Sequence, residues 1–267
     1  MHEAIKERFA DLLARGEIEG LLALRHDGAH VAPHLFVRSE ELAQLYVDHP
    51  LEARPTRYPL MGIAQTLIRS HPQARLAVLM RGCDERAFKA LQAWNQISAE
   101  NVIPLGVACS KALAESCDCS RPYPDECIEG EPVTSEQRPA PAVEEIRRSQ
   151  ARVSWLDEFE KCIKCYGCRN ICPMCFCDEC ALESEEVVPP GAIPPAFPIF
   201  HLVRAVHMVG RCVDCGLCEE ACPAGIPLRT LYKKVNEIVF THFQFRAGFD
   251  PRRRSPLHEI AEPPPTR

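Results

Sequence analysis

Apolar residues recur at helical spacing at the start of the chain, with Ile5, Phe9 and Leu12 or Leu13 on one face of a charged segment, which predicts an amphipathic helix. The runs Gly20-Leu-Leu-Ala-Leu-Arg25 and Ala29-His-Val-Ala-Pro-His-Leu-Phe36 flank His26-Asp27-Gly28, and Asp-Gly between two strand-like runs predicts a β-hairpin. Ser39 fits the cap of a short helix over 40–47, prolines interrupt 50–59, and a second helix is expected over 60–69. The period then changes twice. Leu76-Ala-Val-Leu-Met80 is a short continuous apolar run, Ala87, Phe88, Leu91 and Trp94 return at helical spacing, and Asn101-Val-Ile-Pro-Leu-Gly-Val-Ala-Cys109 is a second apolar run. Strand, helix and strand in that order make a βαβ unit, so the first half is expected to be an α/β domain with a partly parallel sheet.

From Cys117 to Gln150 the pattern dissolves into prolines and charges, which predicts a linker that begins with cysteines. A helix is expected over 144–160, a proline-rich loop over 189–198, and helices over 199–209 and 228–243. Their apolar stripes are Ile199, Leu202, Val203 and Val206 in one, and Leu228, Leu231, Val235, Ile238 and Val239 in the other. The expected organisation is an α/β domain over 1–120, a linker over 121–150, a cysteine-rich domain with flanking helices over 151–245, and an extended tail over 246–267.

Composition changes this picture through one residue type, since 16 of the 267 residues are cysteine. Cys162-Ile-Lys-Cys165-Tyr-Gly-Cys168-Arg-Asn-Ile-Cys172-Pro173 and Cys212-Val-Asp-Cys215-Gly-Leu-Cys218-Glu-Glu-Ala-Cys222-Pro223 write C-x2-C-x2-C-x3-C-P twice. That is the signature of two-cluster bacterial ferredoxins, in which three thiolates on a tight loop reach different irons of one cubane and the fourth points to the other. The expected ligand sets therefore cross: Cys162, Cys165, Cys168 and Cys222 for one 4Fe-4S cluster, and Cys212, Cys215, Cys218 and Cys172 for the other. Zinc sites pair two C-x2-C knuckles and need neither the third cysteine nor the cysteine-proline ending. Disulfides rarely join cysteines so closely spaced, and no secretion signal is visible.

Eight cysteines remain. Cys175, Cys177 and Cys180 share a loop just past Cys172, while Cys117, Cys119 and Cys127 follow Cys109. The βαβ crossover brings Cys83 and Cys109 to one sheet edge, where ligands of open α/β sheets bind. Asp84 fits a helix N-cap there, and the helix dipole would favour thiolate character at Cys83. The eight suffice for a third and a fourth cluster, with their partition open; a single zinc, free thiols, or buried cysteines acting as small hydrophobes are the alternatives. Iron and sulfide quantitation decides between them. His26, His30 and His34 alternate along a strand and are expected to be surface residues rather than ligands.

An apolar content of 46%, a charged content of 25% and a formal net charge of -6 fit a soluble globular protein. No basic stripe of the kind that neutralises phosphates occurs, so nucleic acid is not an expected partner, and Arg252-Arg253-Arg254 reads as a solvated end or a docking strap. No apolar run reaches the length of a membrane span, and the N-terminus lacks a signal peptide's apolar core. A cytoplasmic, oxygen-sensitive protein is expected.

Arg81-Gly-Cys83-Asp-Glu-Arg-Ala before a helix, a strand ending Gly106-Val-Ala-Cys109, Cys165-Tyr-Gly-Cys168-Arg leading to Cys172-Pro-Met-Cys175-Phe-Cys177-Asp-Glu-Cys180, and the late cysteine motif together resemble the β subunits of coenzyme F-420-reducing hydrogenase and formate dehydrogenase. The resemblance implies an iron–sulfur subunit that relays single electrons between a catalytic subunit and a flavin-containing partner in a multi-subunit anaerobic oxidoreductase of the formate dehydrogenase, hydrogenase or heterodisulfide reductase type. Its alternative is a flavin-containing reductase that itself passes hydride to a deazaflavin or nicotinamide at the Cys83/Cys109 edge. No G-x-G-x-x-G or other clear flavin fingerprint is present, so FAD rests on the resemblance and not on a motif.

Overall fold

The computed structural model describes residues 2–48, 55–117, 119, 121–134, 154–189, 191, 193 and 198–256. Helix α1 (Glu3–Ala14) buries Ile5, Phe9 and Leu12, the face its spacing predicts. Strands β1 (Gly20–His26) and β2 (Val31–Phe36) pair antiparallel as the expected hairpin, with Leu21 opposite Phe36. Residues 39–47 differ from the expected α-helix. Ser39–Gln44 winds as a 3-10 turn and the chain then extends as β3 (Leu45–Tyr46), because Leu45 and Tyr46 pair with Arg25 and Leu24 of β1, a tertiary pairing that outweighs local helix propensity.

Helix α2 (Leu60–Ser70) precedes the βαβ unit, which consists of β4 (Leu76–Met80), α3 (Gly82–Ala93) and β5 (Val102–Gly106). The sheet runs β2-β1-β4-β5, parallel between β1 and β4 and between β4 and β5, so the partly parallel α/β layout is present. All five residues of β4 are buried, as a central parallel strand covered on both faces requires. One face packs on α1 through Phe9, Leu21, Ala77 and Leu105; the other packs on α2 and α3 through Leu22, Val78, Met80, Met61 and Leu91.

Helix α4 (Lys111–Ser116) follows β5, with Ser110 accepting from the Leu113 N–H as its cap. The next residues, read from the sequence as linker, are instead laid across the sheet edge from 121 to 134. The Ile128 N–H donates to Gly106 O (2.8 Å), the Ala108 N–H to Glu129 O (3.0 Å) and the Cys109 N–H to Pro122 O (2.9 Å). Two glycines permit this approach: a Cβ on Gly82 would meet Arg121 O at 2.5 Å, and one on Gly106 would meet Glu126 O at 1.9 Å. The remainder of the expected linker, the start of the helix expected over 144–160 and most of the proline-rich loop over 189–198 lie outside the described residues, and α5 (Trp155–Glu160) is the described part of that helix.

The cysteine-rich half adds two single-turn helices, α6 (Gly167–Asn170) and α8 (Leu217–Glu220), and two longer ones, α7 (Ile199–His207) and α9 (Leu228–Phe243). Helix α7 turns the other way from expectation. Ile199, Leu202 and Val206 are 44%, 46% and 60% exposed, and Phe200, His201, Arg204 and Ala205 face inward. In α9, Leu228, Tyr232 and Val239 are buried and Ile238 is exposed.

A single set of buried contacts runs from Leu22, Val78 and Met80 through α2 and α3 to Cys168, Met174, Phe200 and Leu228, so both halves share one core. The start of the tail, expected to be extended, folds back in turns: a Cβ on Gly248 would meet Arg86 O at 2.2 Å, and Ser255 is buried against Gly210. Arg253, from the basic run, donates to Phe243 O (2.7 Å) and Gln244 O (2.5 Å), capping the exposed carbonyls at the end of α9. Residues 257–267 lie outside the described set.

Candidate metal centres

The two repeated cysteine loops adopt one backbone shape. The residue before the second cysteine is left-handed in both, Lys164 at φ 54° and Asp214 at φ 55°, and so is the residue after it, Tyr166 at φ 57° and Gly216 at φ 80°. A left-handed residue without glycine costs about 1–2 kcal/mol, so three of these four positions are held against their own preference. The shape turns backbone N–H groups inward in a nest, the arrangement that receives anionic sulfur. The donors repeat as well: Lys164 N–H points to Cys162 and Asp214 N–H to Cys212. Gly167 N–H donates to Cys165 Sγ (3.4 Å), and Leu217 N–H points to Cys215.

Each loop faces its own pocket. One is lined by Cys162, Cys165, Cys168 and Cys222 among Phe200, His201, Ile226 and Leu228. The other is lined by Cys172, Cys212, Cys215 and Cys218 together with Arg204, Arg229, Met208 and Tyr232. Three thiols of each pocket come from one loop and the fourth from the other.

The pockets also hold polar groups that have no hydrogen-bond partner among the described residues. The Tyr232 hydroxyl, Arg204 Nε and both ring nitrogens of His201 are buried without a hydrogen bond. Such groups fit a site completed by an anionic, sulfur-rich body. Burial pushes the Cys212 thiol up to about 11 and Cys218 up to about 12, and raises Cys162 and Cys168 as well. Thiols so placed become thiolates when a metal supplies the compensating charge. Burial and the nearby Arg204 cation pull His201 down to about 4, so it packs as neutral imidazole, stacked on Phe159 at 4.8 Å.

Arg204 was not singled out by its sequence pattern, although a lone cation inside the apolar run of α7 is a visible signal. It is 2% exposed and donates to Cys175 Sγ (3.0 Å) and Cys168 O (2.8 Å), joining the first loop to the insert that follows it. Arg211 Nη1 donates to Cys177 Sγ (3.3 Å) while its guanidinium lies over Trp94 (4.2 Å) and Phe176 (4.7 Å), tying the insert to α3. Cys175, Cys177 and Cys180 thus line one open cleft with Arg204 and Arg211.

The other leftover cysteines divide. At the sheet edge, Cys83 lies within electrostatic reach of Cys109, Cys117 and Cys119, and Cys117 within reach of Cys109 and Cys119. Cys127 stands apart, beside Glu85, Arg121 and Pro124 O. Asp84 is not the N-cap of α3, which is Arg81; it sits three residues further in and accepts from the Arg81 N–H (3.0 Å). The helix dipole does not win at Cys83 either, because burial pushes that thiol up to about 11. Cys117 is pulled down to about 5, first by the hydrogen bond from Cys119 and then by Arg229 and Arg57, while Cys119 is pushed up.

No disulfide joins any of the sixteen cysteines. No group of three or more His, Cys, Asp or Glu among the described residues is placed to hold a single metal ion. His26, His30 and His34 do not converge: His26 stacks on Tyr46, and His34 packs edge-on against Phe36.

Residues 205–227 match the family of 4Fe-4S binding domains. The F420-dependent formate dehydrogenase subunit beta of Methanocaldococcus jannaschii is 46% identical over 81 residues, 30% of this chain and 21% of that protein. The F420-dependent formate dehydrogenase 1 subunit beta of Methanococcus maripaludis is 46% identical over 96 residues, 36% of this chain and 24% of that protein. An uncharacterized ferredoxin of Methanocaldococcus jannaschii is 34% identical over 84 residues, 25% of this chain and 50% of that protein. The chain therefore spans a quarter or less of the formate dehydrogenase β subunits it matches and half of the ferredoxin. These matches bear out the resemblance to iron–sulfur β subunits and assign a 4Fe-4S binding segment to the second loop. No helix among the described residues is long and apolar enough to cross a membrane.

Proposed function

We propose that this chain is an iron–sulfur electron-transfer subunit of a multi-subunit anaerobic oxidoreductase, working in the cytoplasm and relaying single electrons between a catalytic subunit and a flavin-containing partner. The observation that carries the proposal is the duplicated loop, each copy with the same left-handed positions and N–H donors and each facing a pocket with four thiols in crossed sets. Cys162, Cys165, Cys168 and Cys222 then hold one 4Fe-4S cluster, and Cys212, Cys215, Cys218 and Cys172 the other.

A bound cubane supplies one-electron chemistry that needs no proton transfer. The chain's own groups bind and tune. Loop N–H groups donate to sulfur, Arg204 lends positive charge at the junction of the two loops, and Phe200, Leu228, Met174 and Met208 exclude water from the pockets. The partner side rests on the relatives, whose names are those of formate dehydrogenase subunits.

Anaerobic purification with iron and acid-labile sulfide quantitation tests the proposal. At least about eight irons per chain are expected for two cubanes, with visible absorption that bleaches on reduction. A colourless protein with one zinc and no sulfide would overturn it.

The open groove at the sheet edge, lined by His2, Lys6, Tyr46, Asp48, Cys109 and Lys111, favours a second reading in which this chain itself holds the flavin and passes hydride to a deazaflavin or nicotinamide. Flavin fluorescence released on denaturation would support that reading; its absence leaves the relay.

A further inference from the structure

At the C-terminal edge of the sheet, four cysteines from three separate segments meet. Cys83 lies in the first turn of α3, Cys109 just beyond β5, and Cys117 and Cys119 at the end of α4, where the Cys119 N–H donates to Cys117 O (2.8 Å). Cys83 interacts electrostatically with each of the other three, and Cys117 with Cys109 and Cys119. Segment 121–126, pressed onto the bare Cα atoms of Gly82 and Gly106, holds this arrangement closed. Cys109 and Cys119 are buried.

Arginines gather around these thiols. Arg57, Arg81, Arg86 and Arg229 all face these thiols, and Arg229 Nη1 lies 3.7 Å from Cys117 Sγ. Most of that charge is matched by protein: Arg81 pairs with Asp48 (2.9 Å), Arg229 with Asp214 (2.9 Å), and Arg57 with Glu220, while the buried Asp84 carboxylate faces Arg57, Arg81 and Arg86. Among the described residues, Arg86 has no carboxylate partner in an ion pair. It is 3% exposed, gives Nε to Val213 O (2.9 Å) and Nη1 to Arg121 O (2.8 Å), and leaves Nη2 buried without a partner, within reach of Cys83 and Cys119. Neutral thiols give no reason to leave a buried guanidinium N–H such as Arg86 Nη2 without a partner. A body held by four thiolates and carrying net negative charge does. A cubane takes one thiolate at each of four irons, which matches four thiols brought from three segments.

We infer that Cys83, Cys109, Cys117 and Cys119 form a third four-thiolate site that takes a 4Fe-4S cluster, with Cys127 excluded from it. Cys215 of the second loop lies within electrostatic reach of Cys83, and Arg57 touches both the loop, through Cys215 O (3.1 Å), and this edge. The third site therefore continues the row formed by the two loop pockets into the α/β half. Its place in an electron path rests on the relay proposal; its existence does not.

The test uses the full chain, expressed and purified anaerobically and loaded with iron and sulfide. Serine at Cys83, Cys109, Cys117 or Cys119, each made singly, is expected to lower iron by about four per chain and to remove the same component of the reduced electron paramagnetic resonance spectrum in every case. Cys127→Ser is expected to leave iron and spectrum as in the parent. Retention of the two loop signals shows that each variant has folded. Loss of the same iron in Cys127→Ser, or parent-level iron in Cys83→Ser and Cys109→Ser, would overturn the assignment while leaving the relay intact. A parent chain that takes up no iron and sulfide would overturn both. Should all four variants fail to fold, Mössbauer spectra of the parent decide: a component beyond those that the loop variants remove and that Cys175→Ser leaves in place supports the site, and its absence refutes it.

Discussion

The two cysteine loops share spacing, left-handed positions and sulfur-directed N–H groups, yet they sit in different surroundings. In the first, Cys165 is exposed and Ile163, Leu156 and Ile199 present apolar side chains to solvent nearby. In the second no cysteine is exposed, and the loop is laced to its neighbours by Arg229 on Asp214 (2.9 Å), Asn236 on Cys212 O (3.1 Å), Arg57 on Cys215 O (3.1 Å) and Arg86 on Val213 O (2.9 Å). Spacing thus sets the backbone, while the rest of the chain sets exposure and charge. Under the relay proposal, the first loop is the one a redox partner can approach, and the second is the insulated inner station.

The sharpest way to break this comparison is to cut the crossing. Cys222→Ala is expected to remove the same spectral component as Cys162→Ala, and Cys172→Ala the same one as Cys212→Ala, each with a loss of about four irons. Iron quantitation with electron paramagnetic resonance reads this, and uncrossed pairing would show as Cys222 grouping with Cys212.

Next in size is removal of the metal. Anaerobic chelation is expected to raise amide exchange about 100-fold in 162–173 and 212–223, while β1 and β4 stay protected by the core on the α1 side, which contains no cysteine. Equal loss of protection in the sheet would mean that the two halves fold only together.

The arginines sharpen the contrast further. Arg204→Gln is expected to lower the midpoint potentials associated with both loops by roughly 60 mV, the one-electron equivalent of about 1.4 kcal/mol, because Arg204 reaches Cys168 and lines the second pocket. Arg229→Gln is expected to move the second loop's potential and leave the first in place, as a redox titration would show. The smallest effect concerns the backbone. Gly216→Ala, at φ 80°, should lower stability by about 1 kcal/mol, whereas Lys164→Gly, at φ 54°, should stay within about 0.5 kcal/mol of the parent, the relief of strain offsetting the added chain entropy. Thermal loss of the visible absorbance measures both.

Local pattern made much of this structure legible. The hairpin at Asp27-Gly28, the βαβ unit and the faces of α1 and α3 follow from periodicity and turn chemistry, because each is decided within a few residues. What periodicity missed was decided at long range. The outward turn of Ile199, Leu202 and Val206 follows from Arg204, whose bonds to Cys175 and Cys168 hold the other side of α7 inward. Segment 121–134 resembles a linker because its prolines and charges give it no period, and its order comes from two glycines and a row of backbone hydrogen bonds on the sheet edge. The cysteine motifs were visible at once, whereas the separation of Cys127 from Cys83, Cys109, Cys117 and Cys119 depends on which way that segment crosses the edge. The inner cations Arg57, Arg86 and Arg229 are dispersed in sequence, and no local pattern marks them.

The close passage of 121–126 over Gly82 and Gly106 has a consequence for the order of biogenesis. The segment can settle only after β4 and β5 have paired, since the surface it rests on is made by the ends of both strands. Once settled, it shuts the edge from outside. A side chain at either glycine would therefore hold the segment off the strand ends and leave this edge ajar.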